Sequence, residues 1–258
     1  MSALRAALAA ELIKIRTVRS SWWTLGLTFL LCTGLAYVVG LAFDRSFDSL
    51  PADQQRTFDP LFATFYSVTI GQLALVTFGV LTVSTEYTSG SIRVSLAAMP
   101  RRALFLAAKV LAATLVVLAP SGATSLATFW AAQAGLGPHH AAFHSAVQAV
   151  VGSWLYLTMI CAFAMGVATM LRSSIGALAA LLPLLFLGSQ GLGNVPKIKA
   201  VTQYLPDQAG AVIMHLVGPH GDPRFGRPYG PWTGMAILAL WTGLALLGGL
   251  LVLRHRDA

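Results

Sequence analysis

Six apolar stretches, residues 22–43, 61–83, 104–130, 147–171, 175–195 and 232–253, decide what this chain can fold into. Crossing ~30 Å of hydrocarbon takes about 20 mostly apolar residues in a helix, with every backbone amide satisfied inside its own segment. Only 10% of the 258 residues are charged, against roughly 25% in a soluble domain. No connection between the stretches exceeds about 40 residues, too few for a separate soluble domain of ordinary size. The reading is an all-α integral membrane protein, one transmembrane domain over 1–258 with six membrane helices. The first stretch exceeds a 7–15-residue leader core and about 20 residues of charged chain precede it, so it reads as a membrane helix. Pro120 and Gly122 in the third stretch, and Pro183, Gly188, Gly191 and Gly193 in the fifth, predict kinks or breaks there. Cys32 and Cys161 lie inside apolar stretches and behave as small hydrophobes.

Six crossings put both termini on one side and sort the connections into two sets. One set holds eleven of the seventeen basic residues: Arg5, Lys14, Arg16, Arg19, Arg93, Arg101, Arg102, Lys109, Arg172, Arg254 and Arg256. The other holds six: Arg45, Arg56, Lys197, Lys199, Arg224 and Arg227. With Glu11, Glu86 and Asp257 in the first set and the other six acidic residues in the second, the whole net charge of +8 falls on the first side. The positive-inside rule makes that side cytoplasmic, with both termini inside a bacterial cytoplasmic membrane. The partner that this charge implies is a lipid bilayer and not a nucleic acid.

Two cytoplasmic segments carry more information. Leu4, Leu8, Leu12 and Ile15 fall within about 80° of a helical wheel, which predicts a helix over 1–19 lying in the membrane interface. Between the second and third stretches, Gly90 turns the chain, residues 92–99 form a short amphipathic helix, Pro100 ends it, and Arg101 and Arg102 mark the interface. A solvated hairpin loop explains the same residues equally well by physics alone.

With those segments in hand, the chain resembles the permease subunits of type-2 ABC exporters, a family of bacterial antibiotic, lantibiotic and sodium efflux systems. In that pattern an elbow helix precedes the first span. A Glu closing the second span is followed by Gly-Thr, a coupling helix, a Pro and basic residues leading to a Lys. Glu86, Gly90, Ser91, Ile92, Arg93, Pro100, Arg101, Arg102 and Lys109 occupy that stretch here, with Ser91 where Thr is commoner. Leu205-Pro-Asp-Gln-Ala-Gly210 is similar to a stretch of many high-GC bacterial members. The resemblance implies docking of a separate ATP-binding cassette subunit, which would bind ATP and Mg, onto the elbow and residues 92–99. It also implies a second permease copy, as homodimer or paralogous heterodimer, and an outer gate within 196–231.

Residues 188–195 are the nearest approach to a phosphate-binding loop, but they lack its Lys and end a membrane stretch. The chain therefore carries no cofactor of its own and is a transport subunit, not an enzyme. An ion-gradient-driven carrier or channel is the alternative, and no charge deep within a stretch supports it. Thr69, Gln72, Gly79 and Glu86 share about 100° of a wheel, the face of a substrate path or of helix packing. Ser189, Gln190 and Asn194 join the candidate path. His139, His140 and His144 cluster without a further ligand, which argues against a metal. The cargo that the resemblance implies is an amphipathic drug, antibiotic or peptide.

Overall fold

A computed structural model describes residues 3–218 and 225–255, and these form helices and turns without a strand. The helices are α1 Ala3–Thr17, α2 Arg19–Ser46, α3 Ala52–Arg56, α4 Pro60–Phe65, α5 Val68–Thr88, α6 Ser91–Ala98, α7 Arg102–Leu136, α8 Phe143–Leu171, α9 Ser174–Ser189, α10 Lys199–Thr202, α11 Pro206–Ala211 and α12 Pro231–His255. Residues 219–224 of the outer 196–231 segment, with Arg256 and Asp257, lie outside the described residues.

Five segments are long and apolar enough to cross a membrane: Arg19–Ser49, Pro60–Thr88, Arg102–His139, Phe143–Leu171 and Pro231–His255. The predicted fifth crossing, 175–195, differs. Its helix α9 has 16 residues, about 24 Å at the helical rise, and stops at Ser189. Gly191 takes φ +102° and the chain turns into a 3-10 segment, Leu192–Asn194, a geometry that an L side chain resists. The third stretch departs the other way, since α7 runs unbroken through Pro120. Gly122 leaves room for the Trp154 ring, whose Nε1 donates to the Leu118 carbonyl at 2.8 Å. That bond ties α8 to α7 within one turn of Pro120, where close approach of a neighbouring helix is possible because Gly122 has no side chain.

Helices α5 and α8 form the centre, packed through Leu75, Phe78, Leu157, Ile160 and Met165, with Phe65 of α4 in the same core. Outer helices are apolar on both faces, but different residues face inward and outward. Leu240, Leu244, Leu247 and Leu251 form an exposed stripe on α12 while Leu238, Ala245 and Leu253 are buried. A lipid-facing surface explains such a stripe. The buried stripe of α2 is Ser21, Leu25, Thr28, Cys32, Ala36 and Gly40, mostly small residues that let a neighbouring backbone come close. At the α2–α7 crossing a Cβ on Gly135 would sit 2.5 Å from the Tyr37 carbonyl oxygen, and one on Gly40 would sit 2.8 Å from that of Ala132.

That crossing makes a prediction. Gly135→Leu should cost about 1–3 kcal/mol by overpacking, read as a lowered thermal midpoint of the detergent-purified protein. Gly26→Ala, where nothing lies within 4 Å of the added carbon, should not lower it.

Candidate functional site

Helix α1 turns Ala7, Glu11 and Ile15 inward, with Leu8 and Leu12 half-buried beside them and Leu4 at the exposed edge. The apolar stripe therefore does face the bundle, but a carboxylate sits in its middle. Glu11 meets Lys109 of α7, Oε2 to Nζ at 2.6 Å. Glu86, at the end of α5, meets the same ammonium at 3.0 Å and also pairs with Lys14 of α1. Lys109 is 1% exposed. Removing an ammonium from water costs several kcal/mol unless opposite charges and hydrogen bonds replace the water, and here two carboxylates from two different helices do so. The cluster joins α1, α5 and α7 at one point. Beside it, α1, α2 and α5 enclose an open cavity of about 250 Å³, lined by Ile15, Ser21, Thr24, Phe78, Thr82 and Glu86 among others.

The segment after Glu86 folds around Gly90, whose φ of +69° lies in the left-handed region. Ser89 and Ser91 hydroxyls hydrogen-bond across the turn at 2.9 Å. In α6, Ile92 is buried against Phe105, Leu106 and Leu253, with Leu96 and Met99 at the margin of the same cluster. Positions i, i+4 and i+7 thus form its inner face. Arg93 and Val94 face out, Val94 at 73% exposure, and Pro100 and Arg101 are exposed beyond the helix end. Arg102 Nη1 donates to the Leu253 and Arg254 carbonyls at 2.5 and 3.1 Å, placing a cation at the negative end of α12. Arg172 lies over the Tyr87 ring at 5.3 Å. The cytoplasmic-set groups Lys14, Glu86, Arg102, Lys109, Arg172 and Arg254 thereby share one end of the bundle.

A second cluster occupies the other end of α5, about 20 Å away by the helical rise. Gln72 Nε2 donates to Ser189 Oγ at 3.0 Å and to the Thr69 carbonyl at 3.1 Å, and Tyr156 Oη donates to Gln72 Oε1. Gln208 Nε2 donates to the Gly188 carbonyl at 2.7 Å and to Asp207 Oδ2 at 2.9 Å. Arg227 reaches Asn194 Oδ1 at 2.9 Å and Gln208 Oε1 at 2.7 Å. Burial pushes the Asp207 carboxyl up to about 6, against the pull of the Gln208 hydrogen bonds and of Arg227. Burial also lowers the Arg227 guanidinium and raises Tyr229 to about 12. Nearby, Asp59 caps α4 through the Leu61 amide and pairs with His215 at 2.7 Å. Burial works to raise Asp59, but those two partners together hold it below its ordinary value.

Of the sequence-predicted path residues, Thr69, Gln72, Ser189 and Asn194 come together around a cavity of about 40 Å³. Gly79 and Gln190 do not. A Cβ on Gly79 would meet the Cys161 carbonyl oxygen at 2.7 Å, so this position is a helix contact with α8, and Gln190 is exposed. His139 stacks on Phe47 at 3.7 Å and His140 Nδ1 lies 2.8 Å from the Gly137 carbonyl.

An apolar helical bundle with a buried ion cluster at the end of α5 and an amphipathic helix beyond it matches one family profile along nearly its whole length. The profile is that of the ABC-2 family transporter proteins, and it covers residues 12–258. The chain belongs to this family. It is a type-2 ABC permease subunit, a multi-pass membrane protein whose family implies an ABC ATPase partner. No curated protein matches the sequence.

Sequence reasoning placed Glu86 and Lys109 in this permease but missed their partners. Glu11 and Lys14 read as flanking charges, although Glu11 lies only about 20° outside the apolar stripe, and that offset was the available signal. Asp207 and Gln208 were marked only as part of the 205–210 stretch, and Tyr156 and Arg227 gave no signal, because nothing in their spacing connects residues from α8, α11 and the approach to α12.

The ion cluster predicts strong coupling. Lys109→Met leaves two buried carboxylates short of a cation and should cost about 3–5 kcal/mol, measured by detergent or thermal denaturation followed by circular dichroism. Adding Glu11→Gln to that variant should recover part of the loss, and additive effects would count against a shared cluster.

Proposed function

We propose that this permease exports an amphipathic drug, antibiotic or peptide across a bacterial cytoplasmic membrane, using ATP and Mg bound by separate ATPase subunits. It works with a second permease copy, and both termini lie in the cytoplasm. The observation that carries this reading is the Glu11–Lys14–Glu86–Lys109 cluster next to α6. Glu86, Gly90, Ser91, Ile92, Arg93, Pro100, Arg101, Arg102 and Lys109 form the coupling segment, and α1 is the elbow helix at the membrane interface.

Support for six crossings comes from α9. It starts where Ser174 Oγ donates to Ser84 Oγ at 2.7 Å and ends where Ser189 meets Gln72. It therefore runs alongside α5 from one cluster to the other despite its length. A bilayer thinned locally, or the 3-10 turn and α10 completing the crossing, accommodates the short helix. The cavity of about 250 Å³ at the inner end is near the lower size of small-molecule pockets, whereas the outer end is closed. Thr69, Gln72, Ser189 and Asn194 line the closed end of the path, and residues 196–218 form its outer gate.

Val94 is exposed and Ile92 is packed, so substitutions at the two positions separate docking from folding. Val94→Glu should leave the thermal midpoint unchanged while reducing ATPase activity and transport of the complex about tenfold, the effect of losing roughly 1.4 kcal/mol of contact. Ile92→Pro should abolish both. Unchanged hydrolysis and transport in both variants would sink the coupling assignment. Transport at full rate without nucleotide, following a proton or sodium gradient, would establish a carrier instead.

A further inference from the structure

The outer cluster contains a carboxyl group that its surroundings do not fully compensate. Asp207 is 3% exposed and Oδ2 accepts from Gln208, while Oδ1 has no hydrogen-bond partner among the described residues. The nearby cation is held one side chain away. Arg227 gives its terminal nitrogens to Asn194, Gln208 and the Phe225 and Gly226 carbonyls, leaving Nε buried and without a partner. Gln208 stands between the two charges, donating to Asp207 with one end and accepting from Arg227 with the other. Both residues line the cavity of about 40 Å³ with Gln72, Tyr156, Ser189 and Asn194. A water needs roughly 10–15 Å³ of such volume and two to four polar partners, so the cavity has room for about one to three.

We propose that this cavity is a proton-binding site, in which Asp207 takes up a proton from the solution on that side and the protonated form holds residues 206–218 closed against α5 and α9. Uptake converts the carboxylate to a carboxylic acid, so a neutral group with its own O–H donor replaces a buried negative charge. No bond other than the O–H forms, and no redox partner is involved. The carboxylic acid avoids the cost of a buried carboxylate whose nearest cation is held one side chain away. A sodium or other metal cation fits less well, because the Arg227 guanidinium already supplies one positive charge to the same small volume. The titratable and charged groups facing Asp207 are Arg227 and Tyr229 from the approach to α12 and Tyr156 from α8. Helices α5 and α9 bring the neutral Gln72, Gly188 and Ser189.

The sign follows from the raised carboxyl. A folded-state value of about 6 against 3.8 means that the stabilisation is fully present below the lower value and is lost as pH rises through the upper one. Protonation therefore closes and ionisation loosens.

The test uses the whole chain reconstituted in phospholipid bilayers, without an ATPase partner, so its outcome is independent of the transport reading. Infrared difference spectra between pH 7.5 and pH 5 should show a buried carboxylic-acid carbonyl band with a midpoint near pH 6. The band should vanish in Asp207→Asn, and the thermal midpoint of the wild type should rise across that window while the variant stays flat. Asp207→Ser replaces the Asn variant if the latter does not fold. Replacing sodium by choline should leave the midpoint in place. A band that persists in both variants, an equal pH response of wild type and variants, or a midpoint that follows sodium would overturn the proposal.

Discussion

A buried ammonium sets the arrangement of one end of the bundle. Lys109 has almost no exposed surface and is satisfied by carboxylates from α1 and α5 while its own stem belongs to α7. Because leaving any one of these charges alone would cost more than most single contacts contribute, the three helices have one mutual register. Helix α1 gains most. Fifteen residues are marginal as an isolated helix in water, and its packing on α7 with Glu11 at the centre defines both its position and its rotation.

The far end of the bundle solves a related problem with neutral groups. There the irregular backbone after α9 has to be satisfied, and amides do most of it: Gln72 bridges α5 to α9, and Gln208 bridges α11 to the Gly188 carbonyl. Close approach is possible because small residues stand at the meeting points. A Cβ on Gly188 would fall 1.9 Å from Asp207 Oδ2, so any side chain there has to displace the Asp207 carboxylate. One end is thus fixed by charge and the other by hydrogen bonds, with α5 and α8 as the apolar shaft between them.

The long apolar helices were legible in the sequence because the bilayer imposes a length and composition that few other environments require. Gly90 and Pro100 were legible as the limits of α6 for local reasons of φ and missing amide hydrogen. What was not legible depended on tertiary neighbours. Pro120 reads as a kink or break, yet α7 continues through it as one helix. The break at Gly191 was legible from its glycines, but hydropathy still carried the span to residue 195, past the end of α9 at Ser189. Glu11 reads as a surface charge until Lys109, 98 residues away, is placed beside it.

The contact between α6 and α12 has a mechanical meaning. Ile92 packs on Leu253, and Arg102 grips the last carbonyls of α12, while the ion cluster ties the start of the same loop to α1 and α7. A force applied to the outward face of α6 is therefore shared at once by the first and last helices of the chain, on opposite flanks of the loop. Such a mount leaves α6 no way to shift without also disturbing α1, α7 and α12.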